Sequence, residues 1–295
     1  MTFSCAICNS QMRVWRWDLS SVFTRKTKSD CYQLSRCTHC SHIETRPIPS
    51  DQLLAEMYQR TYPYDIHRAV SNEKSLRASN LLREFNLDVN LRRTLCDLGC
   101  GGGELSELAA TLGYQAVGVD IASSVLCSEG FRFVQMNIEN FVEQYASEKF
   151  QIVVMSHSLE HQRNPKRILE CVRLNLLAED GHLVVVVPNS ESQSARIFGS
   201  KWGYWQVPVH LHHFNSKSFE HLASIAGFEI KGKRVRGGDS LFLALTLMNV
   251  LGMSQGRSSK LRVCIAKVWS FLFKLWMFVG DEDAVYVLKQ KAQQE

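Results

Sequence analysis

The pattern with the clearest chemical potential is a glycine-rich turn behind a short apolar run. Gly99, Gly101 and Gly103 recur at every second position directly after Leu95-Cys-Asp-Leu98. Glycine is required where a backbone turns tightly and approaches a ligand with no Cβ in the way. A helix that follows such a turn presents free N–H groups, which suit a ligand carboxylate. The pattern predicts a nucleoside-type site between a strand and a helix.

Two aspartates flank this turn and narrow the choice of ligand. Asp120 ends the next apolar run, where a carboxylate can accept hydrogen bonds from both ribose hydroxyls. Asp97 precedes the first glycine and is positioned to meet a cation such as an amino-acid ammonium. A dinucleotide fingerprint places glycine or alanine at position 104, but Glu104 stands there, and its bulk and charge oppose a pyrophosphate. The spacing therefore favours S-adenosylmethionine over NAD.

Two C-x-x-C pairs near the start of the chain form a second constellation. They are Cys5 with Cys8 and Cys37 with Cys40. Two residues between thiolates let both sulfurs reach one tetrahedral Zn²⁺, and four thiolates close the site, so the pairs predict a structural zinc. Redox chemistry of the thiols is the alternative. Three more residues are reserve ligands, each with a surface role as its alternative: Cys31, His39 and His42.

Composition sets wider limits on the class of protein. The 295 residues are 45% hydrophobic and 21% charged, with a formal net charge of +5, which is ordinary for a globular chain. This mild charge permits nucleic acid or anionic lipid as a partner but demands neither. The residues before Cys5 do not predict a secretory leader, so the ten cysteines are expected to be metal ligands and buried thiols. No apolar run reaches the roughly 18 residues of a membrane span, and a cytoplasmic location is predicted.

Alternating strands and helices must hold these residues in place. The predicted strands are Thr94–Leu98, Gln115–Asp120, Phe131–Gln135, Phe150–Met155, Gly181–Val187, Phe228–Val235 and Ala284–Lys289. The predicted helices between them include Glu104–Leu112, Ile138–Tyr145, Lys166–Leu177 and Ser216–Ala226. This alternation predicts an α/β fold, in which a parallel sheet is joined by right-handed crossover helices.

Together these pieces resemble a class I S-adenosylmethionine-dependent methyltransferase of the bacterial subfamily that modifies small molecules and glycans. The resemblance spans about residues 93–236 and rests on Cys96–Gly103, Val117–Ile121, Leu159-Glu-His161 with Asn164-Pro165, Val184–Pro188, His210–Asn215 and Ala226–Glu229. It implies a Rossmann-like fold, with a seven-stranded, mostly parallel sheet that ends in an antiparallel hairpin. The expected domains are a zinc ribbon at 1–46, a linker and helical cap at 47–92, and a methyltransferase domain at 93–295.

The resemblance also implies roles at the cofactor site. The cofactor-binding residues would be Asp97, Gly99, Gly101, Gly103, Asp120, Ile121, Asn137, Ile138 and Ser156. Asn137 stands where the family often has aspartate, and its amide oxygen can still accept a bond from the adenine amino group. Ile121 and Ile138 would flank the adenine ring, with ordinary core packing as the alternative. Ser156 and His157 would lie beneath the sulfonium.

Several histidines are candidates for a catalytic base. Methyl transfer mainly requires alignment of nucleophile and sulfonium, and a base removes a proton from a hydroxyl or amine nucleophile. The main candidates are His157, His161 and His210, and two more follow at His212 and His213. A structural role is the alternative for each. The aromatic run Lys201–Trp205 could stack on a sugar or aromatic ring, or simply pack in the core.

Residues 239–279 depart from the alternating pattern and predict an amphipathic helical insertion between the last two strands. Lys260, Lys267 and Lys274 share one side, opposite an apolar stripe that includes Phe271 and Trp276. Such a helix can make peripheral membrane contact through 260–279, on the inner face of the membrane. The alternative is a cap that packs on its own domain.

The predicted function is S-adenosylmethionine-dependent methylation of a small molecule, a sugar, or a glycan or lipid-linked intermediate. A ribosomal RNA methyltransferase with a similar ribbon is a second hypothesis, although only Arg25-Lys-Thr-Lys28 forms a basic cluster there. A catalytically silent S-adenosylmethionine-binding module is a third, and the intact Asp97 and Asp120 oppose it. Nucleic acid is not the expected partner, and the acceptor atom can be oxygen, nitrogen or carbon.

Overall fold

The computed structural model describes residues 3–16, 32–61, 80–81, 93–121, 130–145, 148–237, 246, 250 and 281–292. The chain divides into two units. The first consists of 1–54, 187–221 and 234–285, and the second of 55–186, 222–233 and 286–295. The predicted insertion 239–279, with its face 260–279, lies outside the described residues apart from Thr246 and Val250. In the described part of the chain, no helix is long and apolar enough to cross a membrane.

The strands are, in chain order, β1 (Phe3–Ser4), β2 (Gln11–Arg16), β3 (Gln33–Cys37), β4 (Ile43–Arg46), β5 (Thr94–Leu98), β6 (Gln115–Asp120), β7 (Arg132–Gln135), β8 (Phe150–Ser156), β9 (Leu177–Pro188), β10 (His212–His213), β11 (Phe228–Arg236) and β12 (Asp283–Gln290). The α-helices are α1 (Asp51–Thr61), α2 (Glu104–Thr111), α3 (Ile138–Gln144), α4 (Pro165–Cys171), α5 (Gln193–Phe198) and α6 (Ser216–Ile225). Most of the predicted strands and helices from Thr94 onward agree with these bounds within one or two residues.

The second unit is built on a seven-stranded sheet with the order β11-β12-β9-β8-β5-β6-β7. Strand β5 runs parallel to β6 on one side and to β8 on the other. Its side chains Leu95, Cys96 and Leu98 are fully buried, as expected of a parallel strand covered on both faces. The strand order reverses at β5, so the turn after Leu98 opens at the switch point where α/β sheets bind ligands. The predicted Rossmann-like fold is confirmed.

The connection from α4 to β9 differs from the prediction of one helix over Lys166–Leu177. Asn164 caps α4, which ends at Cys171, and Val172–Leu176 continues as one π-helical turn. Strand β9 then begins at Leu177, before the predicted Gly181, because Leu177 already pairs with Phe150. Exposed polar residues at 179 and 180 interrupt the apolar pattern there, so the sequence does not indicate that the strand begins at Leu177.

The first unit contains a five-stranded sheet with the order β1-β2-β3-β4-β10. Strands β2 and β3 pair antiparallel, with Val14 opposite Ser35. The last strand, β10, comes from a distant part of the chain and pairs antiparallel with β4, so that His212 faces Glu44. A strand of two residues leaves no periodicity in the sequence, and this pairing was not predicted.

Aromatic side chains form the core of the first unit. The cluster contains Tyr32, Leu34, Ile43, Ala195, Trp202, Tyr204, Trp205 and Val207. Trp202, Tyr204 and Trp205 are each 1% exposed. The indole of Trp202 donates to Ser194 Oγ at 2.9 Å. Of the two roles considered for Lys201–Trp205, core packing therefore accounts for its three aromatic rings.

Candidate cofactor site and cysteine centre

The glycine turn has a left-handed backbone at every second residue. The φ angles are +84° at Gly99, +56° at Gly101 and +88° at Gly103. A Cβ added at Gly99 would come within 2.6 Å of the Cβ of Ser158, whereas one added at Gly101 would meet no described atom within 4 Å. Gly99 is therefore needed for close packing, and Gly101 borders open space beside the turn.

Hydrogen bonds from the sheet and from an acid hold the turn in shape. The amides of Gly99 and Cys100 donate to the carbonyl of Val119 at 2.8 and 3.0 Å. The amide of Gly101 donates to Asp120 Oδ2 at 2.9 Å. The carboxylate predicted to hold a ribose thus lies against the glycine turn, at the end of β6 and only partly buried.

Asp97 is the second acid at the turn, and it is almost completely buried at 2% exposure. Ser106 Oγ donates to its Oδ2 at 3.3 Å. Burial raises the pKa of Asp97 to about 7; the charges of Asp120 and Glu104 add to this effect, and the Ser106 hydrogen bond opposes it. A cation beside this carboxyl would favour its ionised form.

The residues predicted around an adenine ring lie at the ends of β6 and β7. Ile121 is 53% exposed, so packing in the core does not account for it, whereas Ile138 is buried. Ile138 Cδ1 would lie 3.6 Å from a Cβ at Gly99. Asn137 caps α3, since its side-chain oxygen accepts from the amide of Asn140 at 2.7 Å. A carbonyl oxygen has two lone pairs, so one acceptor position of Asn137 remains.

A polar turn follows the end of β8. Ser156 ends the strand, and His157 has a φ of +53°, which is rare for a residue with a side chain. His157 Nδ1 lies 3.4 Å from Oε1 of Glu160. Glu160 is fully buried, and neither of its oxygens accepts a hydrogen bond from a described residue. Ser158 donates to the Leu98 carbonyl at 2.7 Å, which ties this turn to the glycine turn.

Ser158 was not predicted as part of the site. The pattern that could have found it is a small residue just past β8, because β8 neighbours β5 and its end must face the tightest glycine of the turn. Glu160 entered the sequence analysis only as part of the Leu159-Glu-His161 motif. Its complete burial depends on tertiary packing and has no counterpart in the sequence.

The candidate bases fall into different units. His157 and His161 belong to the second unit together with the glycine turn, and His210 belongs to the first unit. His210 is buried, and its Nδ1 lies 2.8 Å from the Tyr204 carbonyl. His213 is buried too, beside the Thr45 hydroxyl at 3.1 Å. Burial lowers the pKa of His213 to about 3, so this ring is neutral at pH 7.

The four predicted zinc ligands converge in the first unit. The sulfurs of Cys5 and Cys40 are 3.7 Å apart, those of Cys8 and Cys37 are 3.5 Å apart, and those of Cys8 and Cys40 are 3.6 Å apart. Sulfurs that share one tetrahedral zinc at about 2.3 Å would be about 3.8 Å apart. The donor set therefore fits one zinc ion with four thiolates.

Backbone and side-chain groups surround these sulfurs. The amides of Ile7 and His39 donate to Cys5 Sγ and Cys37 Sγ, each at 3.4 Å. Glu44 Oε1 accepts from the amide of Ala6, inside the first cysteine pair, at 2.7 Å. Two reserve ligands lie elsewhere: His39 is exposed, and His42 is hydrogen-bonded to a histidine of β10. The third, Cys31, lies outside the described residues.

Comparison with known proteins identifies a family model and several relatives. A family model described as a methyltransferase domain matches residues 58–231, more than half of the chain. The ubiquinone biosynthesis O-methyltransferase of Glaesserella parasuis serovar 5 is 32% identical over 136 residues, which cover 41% of this chain and 57% of that protein. The chain thus spans little more than half of that relative's length.

Solved structures match more of the chain at lower identity. A SAM-dependent methyltransferase from Archaeoglobus fulgidus has a TM-score of 0.51 and 18% identity, over 82% of this chain and 100% of that one. The 1,6-didemethyltoxoflavin-N1-methyltransferase of Burkholderia thailandensis, solved with S-adenosylhomocysteine, has a TM-score of 0.53 and 13% identity, over 90% and 98%. At such identities the matches establish a shared fold.

Proposed function

The chain belongs to the methyltransferase domain family, and we propose that it transfers a methyl group from S-adenosylmethionine to a small-molecule acceptor. The observation that carries this proposal is the hydrogen bond from Gly101 to Asp120 beside an open glycine turn. This bond places a carboxylate that can accept hydrogen bonds from ribose hydroxyls beside an unobstructed backbone, at the switch point of the sheet.

The residues around the turn fit the parts of this cofactor. Asp97 would face the ammonium of the methionine part, and the amides at the start of α2 would face its carboxylate. Asp120 would hold the ribose hydroxyls. Ile121, exposed at the end of β6, would cover one face of the adenine, and Asn137 would accept from its amino group. The bound cofactor supplies an electrophilic methyl group on a sulfonium.

Residues of the turn after β8 would remove the proton from the methyl acceptor. Glu160 is buried within 3.4 Å of His157 Nδ1, so its carboxyl group can fix the orientation of the imidazole ring. A proton held on Nδ1 by this contact would leave Nε2 as the ring nitrogen that accepts a proton. We assign to His157 the removal of the acceptor proton and to Glu160 the orientation of its ring. His161 and His210 remain weaker candidates, and His210 already contacts the Tyr204 carbonyl.

The acceptor is proposed to be a small molecule with a hydroxyl group. The name of the Glaesserella parasuis relative, an O-methyltransferase of ubiquinone biosynthesis, supports an oxygen acceptor. Sugar, glycan and lipid-linked acceptors belong to the same proposal, because they also present hydroxyls. The zinc bound by Cys5, Cys8, Cys37 and Cys40 would be structural, since four thiolates leave no open position for substrate.

Calorimetry with S-adenosylmethionine and S-adenosylhomocysteine tests the cofactor site. Asp120→Ala should weaken binding at least about tenfold, because it removes a charged hydrogen-bond acceptor. Asp180→Ala is the matched control, since Asp180 is an exposed acid paired with Lys289 on the surface. Methyl transfer is then followed with a labelled cofactor and a panel of ring hydroxyls, sugars and lipid-linked sugars. Absence of binding by the native chain at millimolar cofactor would refute the proposal.

A further inference from the structure

A cleft in the first unit shares no lining residue with the candidate cofactor site or with the cysteine centre. Its volume is about 170 Å³, and the lining residues that matter here are Trp15, Arg36, Ile43, Glu191, Ala195 and Arg196. They combine apolar groups with two arginines and one acid. The volume is below the roughly 300 Å³ at which sites for drug-sized ligands begin, so the cleft suits a small ligand.

The five-stranded sheet and α5 position these side chains. Arg36 on β3 and Ile43 on β4 are register partners, so they share one face of the sheet. Trp15 lies where the pairing of β2 with β3 shifts register, and its ring meets Trp205 of the core edge-on at 5.7 Å. The apolar side of the cleft is therefore continuous with a packed aromatic core.

The charges of the cleft are unbalanced. Arg36 is partly buried and Arg196 is exposed, and neither guanidinium makes an ion pair or hydrogen bond with any described residue. Glu191 offers one negative charge against these two positive ones. A guanidinium presents a planar fork of donors that matches phosphate and carboxylate oxygens.

We propose that this cleft binds a small organic anion, in which a phosphate or carboxylate group is attached to a flat ring. Arg36 and Arg196 contact the acidic group, and the ring packs against Trp15 and Ile43. The glutamate selects against ligands that carry more than one acidic group. This binding function goes beyond methyl transfer and does not depend on it, so it is measured without cofactor.

Calorimetry at low salt with the zinc-loaded full chain tests the proposal, with phenyl phosphate as the probe and inorganic phosphate and phenol as comparisons. Arg36→Gln and Arg196→Gln should each weaken phenyl phosphate binding about fivefold or more, since a charged hydrogen bond is lost. Glu191→Gln should tighten it about twofold, because a nearby like charge is removed. Arg167→Gln, on the surface of the other unit beside Glu143, should leave it unchanged.

Thermal unfolding of each variant separates loss of binding from loss of fold, and Arg36→Lys retains the charge if Arg36→Gln proves unstable. Intermediate affinity of Arg36→Lys supports a bidentate contact. The proposal is overturned by undetectable binding of phenyl phosphate to the native chain, or by equal affinity in the native chain and both arginine variants. Equal affinities for phenyl phosphate and inorganic phosphate overturn the role of the ring.

Discussion

The imidazole rings of His42 and His212 are stacked with centroids 5.2 Å apart, and His42 Nε2 lies 2.9 Å from His212 Nδ1. One ring belongs to the cysteine-rich segment, and the other to the two-residue strand β10. Both rings are buried, so the contact is shielded from water. The segment that holds the four cysteines and the segment His210–His213 (the histidine segment) therefore belong to one folded unit.

Loss of zinc should loosen the histidine segment. Cys40→Ser removes a sulfur that lies 3.7 Å from Cys5 and 3.6 Å from Cys8, so zinc content should fall well below one per chain. Amide exchange at His212 and His213 should then become at least about tenfold faster, because β10 pairs with β4, and β4 is no longer held in a fixed sheet. Metal analysis and hydrogen-exchange mass spectrometry measure both effects. Cys171→Ser is the control, and zinc loss with unchanged exchange would contradict the coupling.

Glu44 should raise the affinity of the cysteine centre for zinc without being a zinc ligand itself. Its Oε1 accepts from the Ala6 amide at 2.7 Å, and its Oε2 is paired with Arg46. Glu44→Gln weakens the orientation of the first cysteine pair, and zinc affinity should fall about tenfold, as for other outer-shell partners. Competition with a chromogenic chelator measures this. The exposed Glu179→Gln should behave like the native chain, and an unchanged affinity in Glu44→Gln would remove the assigned role.

Substitution of Gly99 and of Gly101 by alanine should lower the free energy of unfolding by different amounts, although both glycines have a positive φ. Gly101→Ala meets open space, so backbone strain alone should destabilise the fold by about 1–2 kcal/mol. Gly99→Ala adds a contact of 2.6 Å with the Cβ of Ser158, and overpacking should bring the total to about 3 kcal/mol or more. Urea unfolding compares the two variants. Adding Ser158→Gly to Gly99→Ala should restore part of the loss, and equal costs for the two glycines would show that the clash is relieved by other means.

Asp97 should make the cofactor-free protein less stable as pH rises. Burial holds its pKa near 7 in the folded state, against about 4 unfolded, so the folded state binds the proton more tightly. The free energy of unfolding should fall between about pH 4 and pH 7, by roughly 4 kcal/mol from this group at most. Asp97→Asn should remove that slope and be more stable than the native chain at pH 8, while losing cofactor affinity. Urea unfolding at pH 5 and pH 8 measures the slope, and an equal slope in the variant would contradict the assignment.

The local spacing of residues was enough to predict the strand–turn–helix–strand unit that carries the candidate cofactor site. Gly99, Gly101 and Asp120 lie on one strand–turn–helix–strand unit, and the parallel neighbours β5 and β6 bring the ends of that unit together. The cysteine pairs are similar, because two residues between thiols already bring both sulfurs to one metal. In such units, short-range geometry leaves few alternatives.

Contacts between distant parts of the chain were decided only by the tertiary structure. Ser158 meets Gly99 because β8 packs beside β5, and His212 meets His42 because a two-residue strand completes the ribbon sheet. Neither contact leaves a periodic trace in the sequence. The raised pKa of Asp97 likewise follows from its burial, which depends on everything packed around it. Sequence spacing thus determined which chemical groups are available at the candidate sites. Packing determined the partners and charge states of these groups, and it formed the cleft at Arg36. The reason is that burial and long-range contacts are properties of the folded chain.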